Sequence, residues 1–291
     1  MSPPPVTVYD AEGSDRTSLR AWGVMVRELW DSRELVHRLV LRNLSGQFRQ
    51  SFLGYLWIVL PPVVTTLVFS LLRRAQIMEI GIPPGGLPYE LQVLVGTTFW
   101  GFFTQAVIAS ATSISSAGNL VSKVYFPREV LVVSAVGQSL VNLAIRLGLV
   151  LLACALAGYL PSWSALGLPL LALPLLALGL GIGALLAPVN AVMNDTSRLL
   201  EFAAQFGLFL VPAVYATPVP VAGGSGLQEA LFWLHTCNPV SQVLYTAYDW
   251  MAAPALTHPM GLLLTVLISG LVLACGWRFL HVCEPLLAER L

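Results

Sequence analysis

Lysine occurs once in this 291-residue chain, at Lys123, and charged residues of all kinds make up only 10% of it. A phosphate-cradling loop of the form G-x-x-x-x-G-K-[ST] is therefore excluded, because the one lysine follows Ser122 rather than a glycine. H-E-x-x-H and G-x-S-x-G are also missing, and His37, His235, His258 and His281 are scattered. His235-Thr236-Cys237 offers two metal ligands with no third nearby, too few for a tetrahedral site. The formal net charge is zero, which gives no electrostatic footprint for nucleic acid. Of the four cysteines, Cys154 and Cys275 lie in apolar runs, Cys283 near the inner end of the last run and Cys237 in an outer segment, so no disulfide framework is expected. The first 18 residues are polar and Pro-rich, without the apolar core of a cleavable signal peptide.

What the chain has instead is apolar length. Hydrophobic residues make up 56% of it, and a bilayer core about 30 Å thick needs roughly 20 apolar residues of helix to cross. Six runs qualify as spans: Leu53–Leu72, Leu91–Ile114, Val130–Leu156, Leu166–Val192, Phe202–Val219 and Met260–Leu280. The fold class is therefore an all-α integral membrane protein with six transmembrane helices.

The basic residues set its orientation. Arg16, Arg20, Arg27, Arg33, Arg38, Arg42 and Arg49 precede the first span. Lys123 and Arg128 follow the second, Arg198 follows the fourth, and Arg278 and Arg290 close the chain. Only Arg73 and Arg74 fall on the opposite side, close enough to a span end to snorkel, and Arg146 lies within a span. Both termini are thus expected in the cytoplasm.

Residues 1–18 read as a disordered leader. Residues 19–52 read as an amphipathic helix region at the inner membrane surface, with Leu19, Trp22, Val26, Leu29, Val36 and Val40 on one face and Arg27, Glu28, Asp31, Glu34 and Arg38 on the other. A soluble helix packed on a partner is the competing account. Residues 53–291 form the transmembrane domain. Pro61-Pro62 falls inside its first span and frees backbone carbonyls that must meet protein or water. Gly179-Leu180-Gly181-Ile182-Gly183 superficially matches a dinucleotide fingerprint but sits in an apolar run with no preceding strand, so close helix packing explains it better. The outer segment, about 220–258, has no Lys or Arg and turns at Asn238-Pro239, which fits two short re-entrant helices.

Four stretches resemble one family. Arg42, Phe48-Arg49-Gln50-Ser51, Leu53-Gly54-Tyr55-Leu56-Trp57 and Pro61 resemble the opening signature of membrane subunits of type-two ABC exporters, in the branch that exports O-antigen, capsule or teichoic-acid chains. Residues 118–129 resemble that family's cytoplasmic loop after span two. Pro212-Ala213-Val214-Tyr215 resembles its span-five motif, with Val211 where serine is usual, and Asn238-Pro239 resembles its outer-loop turn.

The resemblance implies a homodimer and a separate cytoplasmic ATPase that binds ATP and Mg, with no cofactor in this chain. It implies a lipid-linked glycan as cargo and a bacterial inner membrane as location. It places Lys123, Tyr125, Phe126, Pro127, Arg128 and Glu129 at the ATPase-docking loop, and Asn238 and Pro239 at an outer gate turn. A loop that merely sets topology is the alternative for the first of these.

For a conduit, aromatic faces bind sugar rings without demanding one sequence of units. The candidates are Tyr55, Trp57, Phe202, Phe206, Phe209 and Tyr215, with Phe99, Trp100, Phe102 and Phe103 behind them; packing and interfacial anchoring are the competing roles. Gln138, Asn142 and Arg146 recur every four residues on one helical face. That stripe either lines the conduit or ends in a snorkelling Arg146. Arg42 and Arg49 either fork onto a lipid pyrophosphate or attract anionic lipid generally. Rival functions are a small-molecule exporter of the same superfamily, a membrane-embedded lipid-modifying enzyme, for which no His, Asp or Glu cluster exists, and a non-transporting scaffold.

Overall fold

A computed structural model describes residues 21–47, 51–77, 86–117, 127–193, 195–215 and 226–290. These residues form helices and connecting turns, with no strand among them. In chain order the helices are α1 (Ala21–Asp31), α2 (Arg33–Gln47), α3 (Leu56–Arg74), α4 (Tyr89–Ser116), α5 (Glu129–Ala135), α6 (Gly137–Leu156), α7 (Leu168–Val192), α8 (Asp195–Gly207), α9 (Gly226–Cys237), α10 (Pro239–Ala252) and α11 (Pro259–Arg290).

Five stretches are long and apolar enough to cross a membrane: Leu56–Arg74, Tyr89–Ser116, Glu129–Leu156, Trp163–Val192 and Pro259–Cys283. They match five of the six expected runs to within a few residues. The expected run Phe202–Val219 does not form a sixth continuous helix over its described part. Helix starts earlier, at Asp195, and stops at Gly207; a 3-10 turn covers Leu208–Leu210, and residues 211–215 are non-helical. The 13 residues of α8 rise only about 20 Å at 1.5 Å each, short of the hydrocarbon thickness. Pro212 accounts for the break, since it has no N–H to continue the ladder and biases Val211 toward the extended backbone it adopts.

α7 lies at the centre, packed along α4 on one side and α11 on the other. In lipid the hydrophobic effect does not press helices together, so contact depends on close packing through small residues. The glycine string provides it on two faces. A methyl on Gly179 would sit 2.9 Å from Ala106 Cβ, and one on Gly183 would collide with Ser110; both positions face α4. Gly181 faces the other way, where a methyl would lie 2.6 Å from the Leu273 backbone nitrogen, and Gly276 of α11 meets the Gly181 carbonyl in return. More than half of the spanning windows of α4 and α7 is buried, against 17% for those of α3 and α11. The last two therefore turn apolar faces outward.

One apolar core gathers Phe99, Phe102, Leu175, Leu244 and Tyr248, and a second gathers Leu39, Ile114, Leu131, Ala187 and Leu280. Leu39 belongs to α2, which packs on α5 and α6; a methyl on Gly137 would press on Val40 at 2.7 Å. The amphipathic helices thus have a protein-facing side as well as a polar one. Its register differs from the sequence pattern, because Met25 is buried while Val26 is exposed. Arg73 stacks over the Tyr89 ring at 4.7 Å and Arg74 pairs with Glu90 at 3.0 Å, so both outlying cations are held by α4.

Gly181→Ala should lower stability by roughly 1–3 kcal/mol through overpacking. Gly270→Ala, where a methyl meets nothing within 4 Å, should be neutral or stabilising. Thermal unfolding of the purified protein in detergent checks the contrast.

Candidate functional site

The broken stretch at residues 209–215, from the 3-10 turn into non-helical chain, is the structurally demanding part of the fold. Backbone carbonyls without helical partners need donors wherever water is scarce. Here five of the seven find a side chain. Tyr89 Oη, on α4, donates to Val214 O at 2.6 Å, and Gln92 Nε2 donates to Tyr215 O at 3.3 Å. Tyr248 Oη, on α10, donates to Pro212 O at 2.9 Å, and Asn238 Nδ2 donates to Leu210 O at 3.3 Å. Tyr215 Oη folds back onto Phe209 O at 2.5 Å. A methyl on Gly96 would lie 2.7 Å from Ala213 Cα, so the bare glycine lets the broken segment lie directly on α4.

His235 completes this cage from α9, with Nε2 3.0 Å from Tyr215 Oη. Tyr215 has already given its one proton to Phe209 O, so His235 must be the donor, which fixes the tautomer with the proton on Nε2. Its Nδ1 is left buried with no partner. Burial holds the His235 pKa below its ordinary value.

Asn238-Pro239 is the corner between α9 and α10. Asn238 Oδ1 accepts the Val240 N–H at 3.0 Å as an N-cap, and Pro239 takes the first helical position, where its missing N–H costs nothing. α10 is buried from Val240 to Tyr248, and α9 is mostly exposed apart from His235.

The aromatic candidates separate into two groups. Phe202, Phe206 and Phe209 are exposed along α8 and its 3-10 extension, and the first two rings stack at 4.5 Å. Phe69 of α3 adds a ring 6.4 Å from Phe209. Tyr55 and Trp57 at the head of α3 are exposed as well. Tyr215 is half-buried in the cage. Phe99 and Phe102 are fully buried core residues, and Trp100 anchors α8 by donating Nε1–H to Ala204 O at 2.8 Å.

The polar stripe of α6 proves to be a seam. Gln138 borders a cavity of about 290 Å³ shared with Thr104, Gln105 and Ser139. Asn142 is buried, and its Oδ1 accepts from Gln47 Nε2 of α2 at 3.5 Å. Arg146 Nε donates to Ile58 O of α3 at 3.3 Å. The half-buried guanidinium therefore lies against α3 and pairs with no described carboxylate.

Of the docking-loop residues, Lys123, Tyr125 and Phe126 lie outside the described residues, as does Arg49 of the entry pair. Pro127 is half-buried and stands two residues before α5, just outside its N-cap Arg128 rather than at the first helical position. Arg128 and Glu129 are buried, and Glu129 Oε1 lies 2.9 Å from His281 Nδ1 of α11. Glu129 thus ties two helices together within the chain instead of facing outward. Arg42 is exposed on α2 and donates to its neighbour Asn43 at 3.2 Å.

A model of the ABC-2 type transporter family matches residues 34–251. The chain belongs to that family. The matched region takes in α2 to α10, including the cage and its Asn-Pro corner. Among its relatives is the O-antigen export system permease protein RfbA of Myxococcus xanthus, 33% identical over 191 residues that cover 66% of this chain and 72% of that one. An O-antigen export system permease protein RfbA of Klebsiella pneumoniae is 21% identical over 249 residues, covering 83% and 92% of the two chains. Family membership and five spanning helices make this a multi-pass membrane protein of the permease type.

Tyr89, Gln92 and Tyr248 were not singled out from the sequence, and His235 was weighed only as a metal ligand. Pro212 entered as part of a motif within an expected full span, although a proline at that place is the local signal for a break. Tyr248→Phe, which leaves Pro212 O buried without its donor, should cost about 1–3 kcal/mol of stability in a thermal melt. His235 should make stability pH-dependent. Its pKa is depressed in the folded state, so on acidification the unfolded chain gains a proton that the folded chain refuses. The melting midpoint should therefore fall as pH drops from about 7.5 to about 5.5, and His235→Gln should flatten that dependence.

Proposed function

We propose that this chain is the membrane subunit of an ATP-driven exporter that moves a lipid-linked O-antigen-type polysaccharide outward across a bacterial inner membrane. The observation that carries this reading is its similarity, over most of both chains, to permeases whose names specify O-antigen export. The sequence supplies no nucleotide-binding motif, so ATP and Mg belong to a separate cytoplasmic ATPase subunit. The loop at 118–129 is its docking contact, through Lys123, Tyr125, Phe126 and Pro127, while Arg128 and Glu129 support the loop from inside. Both termini lie in the cytoplasm on this reading: arginines cluster before the first span, and the interrupted run from α8 through 209–215 makes one further crossing beside the five continuous helices.

Two copies form the working unit. In it, the exposed ring row Phe202, Phe206 and Phe209, with Phe69 beside Phe209, and the exposed Tyr55 and Trp57 at the head of α3 offer stacking faces for sugars passing between the copies. Such faces bind weakly and tolerate many sugar units, as a sliding polymer requires. Arg42 and Arg49 meet the pyrophosphate of the lipid carrier at the inner leaflet. The α9–α10 pair enters the outer leaflet and folds at Asn238-Pro239 as the outer gate turn, and the broken segment at 209–215 rests against it. No bond chemistry is assigned to the chain itself.

Depleting the protein in its native host should cause lipid-linked glycan to accumulate on the cytoplasmic face and to disappear from the cell surface. Selective labelling of glycan on each membrane face reads both. Normal glycan on both faces would transfer the assignment to a small-molecule exporter of the same superfamily.

A further inference from the structure

Pro61 and Pro62 lie inside α3, and each deletes one N–H from the helical ladder. The donor missing at Pro62 is the one that would have reached Ile58 O, four residues earlier. Pro61, the residue that would close a tighter three-residue bond to Ile58 O, has no N–H either, so neither a 3-10 nor an α bond can serve that carbonyl. Ile58 is buried, which keeps its carbonyl from finding solvent easily. The donor it does meet is Arg146 Nε of α6, at 3.3 Å. A methyl group built on Gly101 of α4 would land on Arg146 Nη1. Three spanning helices therefore converge on one point: a carbonyl freed by a proline, a guanidinium that replaces the lost donor, and a glycine that leaves room for it.

We infer that Arg146 is a positioning residue for span one, acting as the surrogate hydrogen-bond donor for Pro62, with Gly101 as its seat. A charge in the middle of a span is costly to insert, so it needs a compensating partner. Supplying the one carbonyl that cannot be satisfied within its own helix is such a partner, because a hydrogen bond from a charged donor is stronger than a neutral one. The bond holds the kinked head of α3 against α4 and α6. That sets where Tyr55 and Trp57 are presented. The same face of α6 fastens α2 through Asn142 and Gln47, so one stripe positions both elements that bring the chain from the membrane surface into its first span.

This assignment does not depend on which cargo is carried, and the test separates the two questions. The full-length protein is purified in detergent as Arg146→Met, Pro62→Ala, the double variant and Gly101→Ala, and unfolding is followed by denaturant titration. Alanine at 62 restores a backbone N–H to Ile58 O, so Pro62→Ala should rescue Arg146→Met. The double-mutant cycle should show coupling of about tenfold in the unfolding equilibrium. Gly101→Ala should be damaging when Arg146 is present and close to silent when residue 146 is methionine.

If Arg146→Met does not fold, recovery of folded protein in the double variant is the expected result. Export measured in cells should follow the same order, lost several-fold in Arg146→Met and regained with Pro62→Ala. Independent effects at 62 and 146, or no rescue of folding, would overturn the assignment. Rescue of folding without any recovery of export would leave Arg146 as donor to Ile58 but overturn its part in presenting span one. Normal export in every variant together with strong coupling in unfolding would overturn it in the same way.

Discussion

Every backbone carbonyl inside a membrane protein needs a donor, and two of the places in the described residues where prolines withhold one organise this fold. The first is Ile58, whose partner was lost to Pro62. The second is the stretch from Phe209 to Tyr215, where Pro212 ends regular structure. In both, side chains from neighbouring helices replace the missing backbone groups, so the breaks are held by tertiary contacts and would not persist in an isolated segment. An unpaired carbonyl in hydrocarbon costs several kcal/mol, more than most single contacts in the molecule contribute.

Close packing brings these donors within reach. α7 carries small residues on two faces, toward α4 and toward α11, so three helices approach with little side-chain volume between them. α4 in turn displays Tyr89, Gln92 and Gly96 toward the broken segment and Gly101 toward Arg146. A single rigid helix thus supports both irregular sites. α3 and α11, with little of their surface buried, are left at the periphery with apolar faces outward.

A conduit for a polar polymer has requirements opposite to those of an enzyme site. It needs surfaces that hold many units weakly, and no group poised to make or break a bond. On the proposed reading the exposed rings along α8 meet the first requirement, and they stand directly before the segment that departs from helix. Among the described residues, Glu129 with His281 and His235 with Tyr215 bind helices and turns to one another.

By itself the sequence determined the membrane class, five of the spanning helices, the Asn-Pro corner and the family, because each depends on local composition, periodicity or a contiguous string. Runs of about 20 apolar residues have few ways to be satisfied other than as spanning helices. Pro61-Pro62 was legible as an interruption for the same local reason, whereas Pro212 was passed over inside an expected span. Which side chains would repair those breaks was not legible, because the donors come from up to 125 residues away and carry no periodic mark. Only the tertiary structure decided that Arg146 reaches Ile58, that Tyr89 and Tyr248 hold the interrupted segment, that Glu129 turns inward to His281, and that the fifth apolar run stops short of a full helix. Hydropathy counts apolar atoms along one strand of chain, and a hydrogen bond is made between two.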